Sequence, residues 1–359
     1  MSSKLNTENR KLEHIKICLK ERVESDYTGF EDVMLLHNSL PEIDFEEIDL
    51  EIDFFGKKLK APLLIASMTG GHREALEINK NLAIAVEEAG IGMGVGSQRA
   101  AIEDKNLVES FSVVRDSAPT SFIYANIGMP QVARFGVEIV EKSVEMIDAD
   151  AVAIHLNFLQ EVIQPEGEKN AKGCLDALKE VCREIKVPVI VKETGAGITR
   201  ETALKLKKIG VGAIDVGGKG GTSWSGVETY RTEDELFKMI GKDYWDWGIP
   251  TAFCVADSYK ILPVIATGGL RSGPDVAKAL ALGAVAGSAA LPFLNPATKS
   301  AVHVRKKIEY FTEGLKVAMF LTGCENVEHL RNIPVFITGL LRQWIESRGF
   351  DVQEFSKVR

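Results

Sequence analysis

From residue 62 onward, short apolar runs recur at intervals of about 30 residues, the size of one strand–helix unit. They fall at 63–67, 91–96, 121–126, 151–155, 188–192, 213–216, 264–267 and 284–288, and by length and apolarity each reads as a buried strand. Between them, 74–88, 175–185, 199–209 and 274–282 carry apolar residues at helical spacing, and several end in Gly, as helix C-termini often do. Eight parallel strands alternating with helices predict an α/β fold of the closed (β/α)8 TIM-barrel type. An open doubly wound sheet would need a glycine fingerprint after its first strand and an acidic residue about 20 positions on. Gly92-Met93-Gly94-Val95-Gly96 has the wrong spacing for that. Two regions stand outside the eightfold pattern: an N-terminal extension, 1–60, and a long polar insertion after strand six, 217–250. Both are expected over the mouth of a barrel domain that runs from 61 to 359.

Composition narrows the class without changing the fold. A hydrophobic share of 45%, a charged share of 26% and 32 glycines describe a globular chain with many tight turns. The net charge of -8 repels nucleic acid and anionic membrane as a whole, while leaving room for a local basic pocket. Five cysteines without a C-x-x-C pair argue against a disulfide framework or a zinc site and fit a reducing cytoplasm. The first 20 residues are polar and lack the apolar core of a signal peptide. The longest uncharged run, 279–294, is too short for a membrane span and is broken by Gly283, Gly287 and Pro292.

In parallel barrels the reactive groups lie where strands end, at the carboxyl face. Strand one ends Ser67-Met68-Thr69-Gly70-Gly71, strand two Gly96-Ser97-Gln98-Arg99, and strand three Ala125-Asn126-Ile127-Gly128. Strand five ends Val191-Lys192-Glu193, strand six runs into Gly217-Gly218-Lys219-Gly220-Gly221-Thr222, strand seven gives Thr267-Gly268-Gly269-Leu270-Arg271, and strand eight Gly287-Ser288-Ala289-Ala290. The Gly-rich ends of strands seven and eight suit a phosphate, because glycine lets backbone N–H groups approach the oxygens. Gly-Gly after a strand can also be a plain tight turn; Thr222, Gly269 and Arg271 together favour the phosphate. Lys192 is placed either to stabilise an anion or to form an internal salt bridge with Glu193.

The richest segment is His155-Leu156-Asn157-Phe158-Leu159-Gln160-Glu161, where an imidazole, two amides and a carboxylate follow a buried strand. Packing does not require four such groups in seven residues. Arg10-Lys11 together with Arg99 suggest a second anion, although charged N-terminal segments are usually just solvated. Glu161 could then hold Mg²⁺, which often takes one or two carboxylates and completes its shell with phosphate oxygens and water.

M-T-G-G at 68–71, G-S-Q-R at 96–99, A-N-I-G at 125–128, H-L-N-x-x-Q-E at 155–161, V-K-E at 191–193, G-G-K-G-G-T-S-W at 217–224 and T-G-G-L-R-S-G at 267–273 together resemble the type 2 isopentenyl diphosphate isomerases. These are FMN-dependent enzymes of isoprenoid synthesis. The resemblance runs over nearly the whole chain. It implies FMN held by Ser67, Met68, Thr69, Ser97, Asn126, Lys192, Thr222, Gly269, Leu270, Arg271, Ala290 and Leu291. It places the substrate diphosphate against Arg10, Lys11, Ser97, Gln98, Arg99, His155, Gln160 and Glu228, with His155, Asn157 and Gln160 catalytic and Glu161 on Mg²⁺. Trp224 would wall the hydrocarbon tail. The segment Glu193-Thr194-Gly195-Ala196-Gly197 departs from the bulkier residues expected there. The reaction implied is the redox-neutral interconversion of isopentenyl and dimethylallyl diphosphate on reduced FMN, with NADPH as reductant, in a cytoplasmic homotetramer or homo-octamer. Two rivals stand beside it. A hydroxyacid oxidase on the same barrel should place a His base and an Arg clamp near strand seven, yet no His lies between His155 and His303. A flavin-binding protein without turnover would not need the full polar inventory.

Overall fold

The computed structural model describes residues 2–357, with side chains described from residue 10 onward. Eight strands close a parallel barrel: β1 (Leu63–Ile65), β2 (Gly92–Gly94), β3 (Phe122–Gly128), β4 (Ala151–Leu156), β5 (Val189–Glu193), β6 (Ala213–Asp215), β7 (Val264–Thr267) and β8 (Ala286–Ala289). Each pairs in parallel with the next, and β8 returns to β1 through Ser288 opposite Leu64. The expected barrel is present, with strand boundaries displaced by at most two residues. The four helical segments expected between strands form as Arg73–Ala89, Cys174–Glu184, Arg200–Lys208 and Gly273–Ala281.

The alternation of a β-strand sorts the apolar residues into two layers. Leu64, Phe122, Tyr124, Ile190 and Ile265 point into the barrel, where Ala151, Ala153, Ala213 and Ala286 leave them room. Their neighbours Leu63, Ile65, Ile123, Ala125 and Val191 face outward against the helices. A hairpin of Ile52–Phe54 and Lys57–Leu59 plugs the amino end of the barrel, with the Phe54 ring 5.0 Å from Phe122 in an edge-on contact. Replacing a ring buried as fully as Phe122 by Ala typically costs about 3–5 kcal/mol. The cavity lies at the opposite, carboxyl end.

That end is covered by the two regions outside the eightfold pattern. Residues 2–20 form a helix, Ser2–Lys20, which packs on a helix of the insertion, Trp224–Arg231. A strap then crosses the mouth: Ser25 N donates to Gly221 O at 2.9 Å and Ser223 N to Val23 O at 2.7 Å. The insertion holds two helices, the second at Glu235–Asp243 and capped by Asp234. Beyond the barrel, Val335–Ile337 pairs antiparallel with Val33–Leu35 and ties the extension to the C-terminal helices. Among the described residues no helix is long and apolar enough to cross a membrane. All five cysteines are free thiols.

Candidate active site

One cavity opens at the carboxyl ends of the strands, and most of the residues singled out by sequence line it. Ser67, Met68 and Thr69 follow β1; Ser97 and Arg99 follow β2; Asn126, His155 and Lys192 end β3, β4 and β5. Asn157, Gln160 and Glu161 enter on the short helix Phe158–Ile163, and Thr222 enters from the insertion. Gly269 and Arg271 follow β7, and Ala290 and Leu291 follow β8. Arg10 and Lys11 reach in from the N-terminal helix.

Three residues expected at the ligands do not line the cavity. Gln98 is fully buried and turned away: its Oε1 accepts from Asn126 N at 2.9 Å and its Nε2 donates to Ser143 O at 2.8 Å. It holds the β2 and β3 ends together. Leu270 packs in the outer apolar core, as a Leu between two polar neighbours should. Glu228 is buried behind the wall, where Oε1 accepts from Gln160 Nε2 and from His14 Nε2, both at 2.9 Å, and Oε2 from Arg231 Nε at 2.6 Å. Burial alone would raise the Glu228 carboxyl, but the hydrogen bonds from His14 and Gln160 and the Arg231 charge hold it down to about 2. Burial keeps His14 below the usual imidazole range, so its neutral ring donates from Nε2.

The wall nearest the N-terminal helix is cationic. Arg10 lies 3.8 Å from Glu166, and Arg99 pairs with Glu103 at 2.8 Å and Glu168 at 3.2 Å. The Lys11 ammonium has no hydrogen bond or ion pair among the described residues, and burial, then Arg10 and Arg99, lower it to about 7. A cation held this unfavourably beside two guanidiniums marks a place for an anion. His155 stands next to it. Asn126 Nδ2 donates to Val95 O at 3.1 Å, which leaves Asn126 Oδ1 facing His155 Nδ1 at 2.8 Å. Nδ1 therefore carries the proton and Nε2 keeps its lone pair. Burial first, then Lys11 and Lys192, push this imidazole down to about 3.

On the opposite side Lys192 is buried at the end of β5. Its Nζ donates to the Glu193 main-chain carbonyl at 2.9 Å and lies 3.4 Å from Asp215 Oδ2. The alternative of a Lys192–Glu193 side-chain salt bridge is thus replaced by one with Asp215, whose own carboxyl is raised by burial despite the Lys192 charge. The Thr69 hydroxyl and Asn157 Oδ1 are buried without a hydrogen-bond partner among the described residues, and both residues line the cavity. Buried polar atoms are normally satisfied, so these two are donors and acceptors held ready for a ligand. Glu161 accepts from Asn157 Nδ2 at 3.0 Å, Gln164 Nε2 at 2.8 Å and Glu168 N at 2.7 Å, with no basic side chain among its hydrogen-bond partners. Among the described residues no group of three or more His, Cys, Asp or Glu is arranged to hold a metal.

Sequence reasoning passed over His14, Ile15 and Cys18, which line the cavity with Arg10 and Lys11. Their spacing was a usable signal, since 10, 11, 14, 15 and 18 share one face of a helix. His14 packs edge-on against Trp224, ring centroids 5.1 Å apart, and both face the cavity.

A family model described as FMN-dependent dehydrogenase matches residues 140–335. Solved structures of similar fold include a mandelate oxidase, at TM-score 0.61 and 20% identity over 88% of this chain and 91% of that one. A lactate oxidase from Pediococcus acidilactici superposes at TM-score 0.67 and 16% identity, covering 94% of both chains. At those identities the likeness speaks for the barrel alone. Closer relatives are an isopentenyl-diphosphate delta-isomerase of Archaeoglobus fulgidus, 67% identical over 96% of this chain and 100% of that protein, and one of Methanosarcina mazei, 54% identical over 98% and 97%. A third, from Pyrococcus furiosus, is 52% identical over 98% and 91%. The class is that of the FMN-dependent dehydrogenase barrels. Within it, the chain belongs to the type 2 isopentenyl-diphosphate delta-isomerase family and is an isomerase.

Proposed function

We propose that this chain interconverts isopentenyl and dimethylallyl diphosphate on bound reduced FMN, with Mg²⁺ on the substrate diphosphate. The observation that carries the reading is the pairing, across one cavity, of a Lys11 ammonium beside two guanidiniums with a buried Lys192 and a buried Thr69 hydroxyl, Lys11 and Thr69 having no side-chain partner among the described residues.

The residues fit both groups. Thr69, Ser67, Asn126 and Lys192 would meet the FMN ring side, and the glycine turns at Thr222, Gly269 and Arg271 its phosphate. When bound, reduced FMN would supply proton transfer to and from the substrate carbons and an electron-rich ring beside the carbon that becomes positive. Lys192 favours an anionic ring by charge in a site of low dielectric. Arg10, Lys11 and Arg99 orient the diphosphate, and His155 joins them once the anion's approach returns a proton to Nε2. Asn157 presents its amide oxygen Oδ1 to the cavity, its Nδ2 being held by Gln160 and Glu161, and Gln160 lines the wall with its Nε2 held by Glu228. Glu161, a single carboxylate, suits Mg²⁺ that completes its shell with phosphate oxygens and water. Trp224 and His14 give the hydrocarbon an apolar wall that excludes water.

The hydroxyacid-oxidase reading lacks its base, since no His follows β7 in the cavity wall. The test is anaerobic incubation with FMN, a reductant such as NADPH, Mg²⁺ and isopentenyl diphosphate. Dimethylallyl diphosphate is the expected product, and its absence while a 2-hydroxy acid is consumed would transfer the assignment to the rival. Glu161→Gln should weaken the Mg²⁺-dependent activity and keep the yellow flavin.

A further inference from the structure

Glu193 is buried next to the cavity, yet the function described so far gives its carboxylate no task. Strand alternation sends Lys192 inward and Glu193 to the outer face of β5, where it forms no ion pair among the described residues and burial pushes its carboxyl up to about 7 against the pull of the loop's N–H groups and the Lys192 charge. Instead, Glu193 Oε2 accepts from Thr194 N at 2.6 Å, Gly195 N at 2.7 Å, Ala196 N at 2.5 Å and Gly197 N at 3.3 Å. Successive N–H groups converging on one point form an anion-binding nest, and here the anion is the chain's own side chain. Gly195 at φ 154° and Gly197 at φ 84° supply the backbone turn this needs.

The loop is pinned from outside as well. Ile249 N donates to Ala196 O at 3.0 Å and Gly197 N to Gly217 O at 3.2 Å, so the end of the insertion closes over it. A side chain on Gly217 would come within 2.0 Å of Glu193 O, which is the same carbonyl that receives Lys192 Nζ. Thr194 and Gly195 then face the cavity. The carboxylate, the loop wall and the Lys192 anchor are therefore one mechanical unit.

We propose that Glu193 is a positioning residue for the flavin: its carboxylate, seated in the nest of residues 194–197, fixes the cavity wall after β5 and the carbonyl that aims Lys192. The inference rests on the FMN reading above. Emptying the nest by Glu193→Ala strands several buried N–H groups without an acceptor. It also creates a site for a small exogenous carboxylate.

The test is titration of flavin-free wild type, Glu193→Ala and Glu193→Gln with oxidised FMN, followed by fluorescence quenching and by the visible spectrum, with sodium formate or a bulky sulfonate salt at equal ionic strength. Wild type that does not bind FMN would sink the FMN reading itself. With FMN bound by wild type, Glu193→Ala should bind it at least about tenfold more weakly, and formate, not the sulfonate, should restore affinity and spectrum. Glu193→Gln keeps an acceptor oxygen without the charge and should fall several-fold short of wild type. Wild-type affinity in either variant, or a loss in Glu193→Ala that formate does not repair, overturns the proposal. So does failure of both variants to fold, which would make Glu193 a structural staple only.

Discussion

Glu228→Gln is the sharpest probe of how the N-terminal helix closes the site. The carboxylate is fully buried and joins three elements: His14 of the N-terminal helix, Gln160 of the β4 helix and Arg231 of its own helix. Depression from 4.5 to about 2 corresponds to about 3 kcal/mol of interaction favouring the charged form. Because His14 is neutral, about 3 kcal/mol is an upper value for what the closed arrangement loses. Glutamine keeps the shape but can accept on one atom only, so its amide N–H₂ must face either Arg231 or the His14–Gln160 pair. If closure carries Arg10 and Lys11 to the substrate, kcat/KM should fall by up to about 100-fold while FMN binding stays within a few-fold of wild type. Steady-state kinetics beside a flavin titration measure both. The charge also has a pH signature: its stabilisation is fully present above 4.5 and is lost as pH falls through about 2, so the variant should lose this part of the acid sensitivity. A kcat/KM within twofold of wild type would show that the latch is not needed for substrate capture.

Two further outcomes follow from charge. Lys11, at about 7 in the ligand-free protein, should take up a proton when inorganic pyrophosphate binds at pH 8, seen by calorimetry as a binding enthalpy that depends on the buffer's ionisation heat. Affinity should decline as pH rises above 7; identical proton uptake by Lys11→Met would refute the assignment. His155, pushed down to about 3 by burial, Lys11 and Lys192, should remain neutral with its proton on Nδ1 from pH 8 to pH 5 in a ¹⁵N NMR titration. Its lowered value makes its contribution to stability complete above 6.5 and lost as pH falls toward 3. A midpoint near 6.5 would contradict the geometry.

The barrel was legible because its signal is redundant: with eight apolar runs in succession, no single run has to be decisive. The strand-end inventory was legible for the same architectural reason, since every such terminus faces one mouth. What the motifs could not convey is which way each side chain turns. Ser97 and Arg99 enter the cavity while Gln98 between them faces Ser143, and Leu270 between Gly269 and Arg271 goes to the core. Treating a motif as a block counts all three residues, whereas in the turn that follows each strand, with Gln98 next to a helix start and Gly269 at φ 83°, neighbouring side chains leave in different directions. The helical analogue hid His14, which joins Arg10 and Lys11 only when the polar N-terminus is read at helical spacing.

Lys192 shows where local reading must give way to topology. Its sequence neighbour Glu193 is the obvious carboxylate partner, but in a strand the two side chains leave on opposite faces. The partner on the same face has to come from the adjacent strand, at the register position opposite. That position is Asp215 of β6, directly paired with Lys192 and 23 residues away in the chain (215 minus 192). Once β5 and β6 are known to be neighbours the pairing is forced, and the order of strands around a barrel is the information that an apolar rhythm predicts and a motif does not. The same displacement frees the Glu193 carboxylate for the backbone amides of its own loop, so the ion pair and the nest are two consequences of one strand alternation.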